Sequence, residues 1–68
     1  MNFGNAIMNA KLGKKITRVN WKNPNSYIMY ESGFYNKPYF FLRVNGEMQR
    51  GWRASHDDIL ACDWQVVN

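Results

Sequence analysis

The sequence predicts an α+β protein, a small twisted antiparallel β-sheet of about five strands with an N-terminal helix and a short helix before the last strand. Three observations carry that prediction. Apolar residues recur at helical spacing near the start of the chain, runs rich in β-branched and aromatic residues follow, and Asn45-Gly46 marks a tight hairpin between two of those runs. No internal repeat, low-complexity tract or linker interrupts the chain, so residues 1–68 read as one domain.

Phe3, Ala6, Ile7 and Ala10 stand at i, i+3, i+4 and i+7, the stripe of one buried helix face. Asn2 is the expected N-cap, Lys11 suits the negative end of the helix dipole, Leu12 closes the apolar stripe, and Gly13 is the expected left-handed terminator. A helix of about three turns is marginal in water, so its stripe must pack on something else. Lys15 to Trp21, with Ile16, Thr17 and Val19, reads as a strand that ends at the breaker Lys22-Asn23-Pro24-Asn25. Tyr27 to Glu31 is a second short strand, and Ser32-Gly33 begins a connection that carries the aromatics Phe34 and Tyr35. Tyr39 to Val44 forms a third, Asn45-Gly46 a two-residue type I′ turn, and Glu47 to Arg53 its partner. Ser55-His56-Asp57-Asp58 fits a capping box ahead of Ile59-Leu60-Ala61, which predicts a helix of one or two turns with both aspartates at its N-terminus. Cys62 reads as a small core hydrophobe at the end of that helix. Trp64 to Val67 is the last strand, with Trp64 assigned to the core.

The hairpin turn fixes a register that pairs Val44 with Glu47, Arg43 with Met48, Leu42 with Gln49, Phe41 with Arg50, Phe40 with Gly51 and Tyr39 with Trp52. Alternation then places Phe40, Leu42 and Val44 on a core face. The other face carries Tyr39, Phe41, Arg43, Met48, Arg50 and Trp52, where aromatics interleave with two guanidiniums. Such a face suits ligand recognition or an interface between copies of the chain, and both readings stay open.

Nine Lys or Arg against five Asp or Glu give a net charge of +4 on 68 residues. A chain this short buries only about 60% of its unfolded surface, so a monomer is marginally stable without a further staple. With Cys62 alone there is no internal disulfide, and with His56 as the only imidazole there is no zinc-type ligand set. Self-association is the remaining staple. No run approaches the roughly 18 apolar residues of a membrane span, and the start of the chain lacks the pattern of a signal peptide, which predicts a soluble protein of a reducing compartment. Eleven aromatics, counting Trp, Tyr and Phe, are more than a small core can hold, so some should meet a partner or a ligand. Lys11, Lys14, Lys15, Arg18 and Lys22 all precede the first acidic residue, a basic flank that favours phosphate-bearing ligands or simply solubilises the surface.

No catalytic set converges. His56 has Asp57 and Asp58 beside it and Cys62 further on, but neighbours at a helix start point apart, so no enzyme, cofactor or metal site is expected. The glycines form no phosphate-cradling motif, which leaves binding to side chains. Trp21, Trp52 and Tyr39 are the stacking candidates, with Arg50 beside them on the hairpin.

Two linked motifs carry a resemblance. Phe3-Gly4-Asn5-Ala6, then Gly13-Lys14-Lys15-Ile16-Thr17-Arg18 and Trp21, are similar to an F-x-x-A…G-K-K-V-x-R-x-x-W opening. Trp52-Arg53-Ala54-Ser55, Asp58-Ile59-Leu60-Ala61 and Asp63-Trp64 are similar to a W-x-A-S-x-x-D-L-L-A-x-D-W ending. Both occur in the type-two Thoeris anti-defence family of phage proteins, which this chain resembles over residues 2–21 and 52–67. The resemblance implies a non-catalytic sponge that binds a nucleotide immune second messenger, of the cyclic ADP-ribose type or a cyclic oligonucleotide of the CBASS defence, in the cytoplasm of an infected bacterium. It also implies a homo-oligomer, a dimer or dimer of dimers, with ligand held between protomers and no stable nucleic-acid partner. Carried over by motif, Trp21 stacks on a base with Trp52 beside the ligand. Ala54 and Ser55 supply backbone or hydroxyl hydrogen bonds, Asp58 a carboxylate to ribose or base, and Arg18 a charge near phosphate. The middle segment, with Phe34-Tyr35-Asn36-Lys37-Pro38-Tyr39 and the Asn45-Gly46 hairpin, is shorter than in familiar members and bears on ligand choice. A single-stranded nucleic-acid binder and a phage inhibitor acting by protein contact are the alternative functions.

Overall fold

The computed structural model describes residues 1–23, 25–33 and 37–67. Pro24 of the expected breaker and the loop residues Phe34, Tyr35 and Asn36 lie outside the described residues. Helix α1 spans Phe3–Lys11, followed by strands β1 (Lys15–Arg18), β2 (Ser26–Glu31), β3 (Tyr39–Val44) and β4 (Glu47–Arg50), helix α2 (His56–Leu60) and strand β5 (Trp64–Val67). The strands form one antiparallel sheet in the order β4-β3-β2-β1-β5. The short helix α2 therefore lies in the connection that returns the chain from the hairpin edge to the opposite edge, beside β1.

Helix α1 begins where Asn2 Oδ1 accepts the Asn5 amide, and Gly13 turns the chain out of it at φ +92°. Its two alanines, Ala6 and Ala10, are fully buried. Their small side chains let the helix lie close against β1, β2 and β5, over Ile16, Ile28 and Trp64. Leu12 does not close the stripe as expected. It is the C-cap and stands 75% exposed, because the helix ends one residue before it and the chain turns at Gly13 to enter β1.

Cross-strand pairing assigns the two sheet faces. Ile16, Ile28, Leu42 and Gln49 pair in a row, as do Tyr30 with Phe40 and Arg18 with Trp64, and this set faces α1. The opposite face carries Lys15, Tyr27, Met29, Glu31, Tyr39, Phe41, Arg43, Met48 and Arg50. Phe41 is buried on that side, and the Lys15 ammonium lies 4.9 Å from the centre of the Tyr27 ring. The buried Thr17 hydroxyl of β1 donates to the Ser26 carbonyl of β2 at 2.8 Å, a further bond between the two strands.

Three further expectations need correction. Strand β1 stops at Arg18 instead of Trp21, because the Trp21 amide bonds back to the Arg18 carbonyl in a turn that leaves Val19 exposed. Strand β4 stops at Arg50 instead of Arg53. The Gly51 and Trp52 amides both donate to the Phe40 carbonyl, and Gly51 takes φ +75°, so two residues oppose one in a glycine bulge. Cys62 is exposed, because α2 has only 5 residues and Ala61 is already extended.

Candidate functional site

The bulge at Gly51 decides what the hairpin can do. In unbroken register Trp52 would stand beside Tyr39 and Arg50; the extra residue swings it to the α1 side, where it packs on the core. There it meets two other indoles. The Trp52 ring centre is 6.5 Å from that of Trp21 and 6.2 Å from that of Trp64, while Trp21 and Trp64 are 5.4 Å apart. All three pairs are edge-to-face, with interplanar angles of 68° to 80°. Trp64 is buried and forms the floor of the cluster, with Phe3 of α1 tilted on its other side. Trp21 and Trp52 are half-buried and form its outer part.

A polar clip borders the cluster. Ser55 and Asp58 make the expected capping box, Ser55 Oγ accepting the Asp58 amide at 3.1 Å and Asp58 Oδ2 accepting the Ser55 amide at 3.2 Å. The other carboxylate oxygen, Oδ1, accepts Arg18 Nη1 at 3.0 Å and the Trp21 indole N–H at 3.4 Å. Arg18 Nε also donates to Asp63 at 2.8 Å, and the second Asp63 oxygen accepts the Asn20 amide. The Trp64 indole N–H reaches the Asp58 backbone carbonyl at 2.9 Å. Asp58 thus touches both Trp21 and Trp64.

The electrostatics follow from these contacts. Burial pushes the Asp58 carboxyl up, but donors from Arg18, Ser55 and Trp21 together outweigh it and hold the group below the usual carboxylate range. Asp63 is lowered chiefly by Arg18, and Arg18 is raised by the same two carboxylates. Within one protomer the Arg18 charge is therefore neutralised by two acids, not directed at an open phosphate position.

The sequence-selected residues fall into two groups on opposite sides of the sheet. Trp21, Trp52, Arg18, Ser55 and Asp58 converge, with half-buried Ala54 in the loop that joins Trp52 to the Ser55 cap. Tyr39 and Arg50 stay on the face away from α1, where they line an open hollow of about 380 Å³ with Glu31, Gly33 and Met48. Two participants were not singled out from the residues. Asp63 completes the clip around Arg18, and Gly51 sets the face on which Trp52 lies; a glycine interrupting a strand was the available signal for the latter.

A family model for the Thoeris anti-defense 2-like domain, Tad2-like, matches residues 1–67. The chain belongs to the Thoeris anti-defense 2-like family. It is also similar to Thoeris anti-defense 2 of Bacillus phage SP01, at 26% identity over 85 aligned positions covering 100% of this chain and 96% of the relative. Because this chain has only 68 residues, an alignment of that length carries positions of the relative with no counterpart here. Family membership identifies a phage counter-defence protein, and the Tad2-like match runs through both linked motifs, including Trp21, Trp52, Asp58 and Asp63.

Proposed function

We propose that this Tad2-like protein binds and withholds a nucleotide immune second messenger, of the cyclic ADP-ribose type or a cyclic oligonucleotide, without cleaving it. The observation that carries this reading is the Trp21–Trp52 pair, two half-buried rings fixed on a buried third. Rings already held in place lose little freedom when a base stacks on them, and each such stack is worth about 1–3 kcal/mol. At 68° to one another they cannot sandwich a single base between parallel faces. One ring stacks on the base, and the other meets it by an edge.

Phosphate recognition needs cations that are still available. Arg18 is committed to Asp58 and Asp63, whereas Lys22 and Arg53, adjacent in sequence to the two tryptophans, are exposed. Arg50 and Tyr39 lie on the other face, so a ligand that touches them as well as the tryptophans is bracketed by two copies of the chain. That division supports a homo-oligomeric site.

The test incubates the protein with a cyclic ADP-ribose isomer and with cyclic oligonucleotides, removes unbound ligand, denatures the protein and recovers what it held. Intact ligand is expected. A cleaved product points to an enzyme, and no retention of any candidate defeats the reading. Trp21→Ala or Trp52→Ala should abolish retention; a folded variant with unchanged affinity removes that residue from the site.

The sheet face away from α1 favours a second reading, single-stranded nucleic-acid binding, because the half-buried Tyr27 and Tyr39 stand there among Lys15, Arg43 and Arg50. That reading requires affinity for oligonucleotides that grows with strand length and falls steeply with salt. A site for a small nucleotide shows no length dependence.

A further inference from the structure

We propose that Asp58 is a positioning residue, which fixes the indole of Trp21 in the tryptophan platform and does not itself touch the ligand. The proposal rests on the reading that Trp21 and Trp52 hold the nucleotide. Trp21 lies beyond β1, in a turn with no ladder bonds of its own. Two contacts orient its ring: packing on Trp52 and Trp64, and the indole N–H donated to Asp58 Oδ1. The rest of Asp58 is arranged to keep that oxygen in place. Oδ2 is pinned by the Ser55 amide, Oδ1 by Arg18, and the backbone carbonyl by the buried Trp64.

Three of the roughly four acceptor sites of the Asp58 carboxylate are taken up from within the protomer. Oδ1 has two donors and Oδ2 one, and the residue is buried to 9% relative exposure. A ribose hydroxyl arriving at Oδ1 would have to displace Arg18 or Trp21. Arg18 then acts at one further remove, as the cation that lets a carboxylate stay ionised against the indoles, with Asp63 holding its Nε.

A cap-preserving variant separates positioning from simple helix capping. Glu at this point of a capping box caps as well as Asp, so Asp58→Glu keeps the charge and the start of α2 while moving the carboxylate one methylene along. Two measurements follow, the indole N–H resonances of the ligand-free protein and the affinity for a cyclic ADP-ribose isomer used as the probe. The Trp21 indole signal is expected to shift while that of Trp64, bonded to backbone, stays in place, and affinity is expected to weaken about fivefold to tenfold. If Asp58 acts through the Trp21 N–H, then Asp58→Glu has no further effect in a Trp21→Phe background, which keeps a stacking face but no donor. Equal losses in both backgrounds mean direct ligand contact and overturn the proposal. An unmoved Trp21 resonance overturns it too. If the wild-type protein retains no nucleotide, the reading of the site fails, and the resonance measurement still decides whether Asp58 sets the Trp21 ring.

Discussion

Replacing Gly51 with alanine tests the device that puts Trp52 beside Trp21. Gly51 sits at φ +75°, a conformation that costs an L-residue about 1–2 kcal/mol. A Cβ added there meets nothing within 4 Å, so no steric clash adds to that backbone cost. Alanine also lowers the entropy of the unfolded chain, which offsets about 0.4–1 kcal/mol. The net expectation for Gly51→Ala is a loss of about 1 kcal/mol, which in a chain of this size lowers Tm by about 4–8 °C. Circular dichroism melts measure it directly. A chemically made chain with D-alanine at 51 sharpens the test, because the D-residue accepts positive φ and keeps the entropic gain, so its Tm should rise above that of the natural chain. A D-alanine variant less stable than the L-form refutes the bulge as the reason Trp52 changes face.

Acid should unfold the protein through the clip. Asp58 and Asp63 have folded-state pKa values below their ordinary 3.8, so their stabilisation is fully present above that value and is lost as pH falls through the lower folded-state values. Melts should therefore be flat from pH 7 to about 5 and fall below about 4, with a shallower fall in Arg18→Met; a Tm unchanged down to pH 2 contradicts this. Trp64, 2% exposed, is the largest buried side chain. Its replacement by alanine should cost about 3–5 kcal/mol, comparable with the whole stability of so short a domain, and far-UV circular dichroism should show a largely unfolded chain.

Most of the fold was legible because it rests on local chemistry. The Phe3–Lys11 helix announced itself by its stripe and its Asn2 cap, and the α2 start by a capping box that forms with both reciprocal bonds. The Asn45-Gly46 turn adopts positive φ at both residues, 53° and 87°, and fixes the register from Val44–Glu47 to Phe41–Arg50 as expected. What failed were the ends of elements and everything decided by them. Alternation carried past Gly51 puts Trp52 on the wrong face, and one extra residue is enough to reverse a side chain. The pairing of Arg18 was not legible, because nothing in the order of residues shows that Asp58 and Asp63, some 40 and 45 positions away, close on it.

The separation of Arg50 from the tryptophans gives the proposed shared site its sharpest consequence. Within a protomer, Trp21 faces the α1 side and Arg50 the other side, with the sheet between them. If both touch one ligand, each site takes Trp21 from one chain and Arg50 from another. Trp21→Ala and Arg50→Ala chains should then each fail to retain nucleotide alone, yet recover binding when unfolded together and refolded as a mixture. With random assortment, about a quarter of the sites receive an intact Trp21 from one variant and an intact Arg50 from the other. Equilibrium dialysis against labelled nucleotide counts them. Sites built within one chain predict no recovery at any mixing ratio, because every protomer then carries one of the two defects. Full retention by Arg50→Ala alone would instead place the hairpin arginine outside the site and leave the tryptophan side as the whole of it.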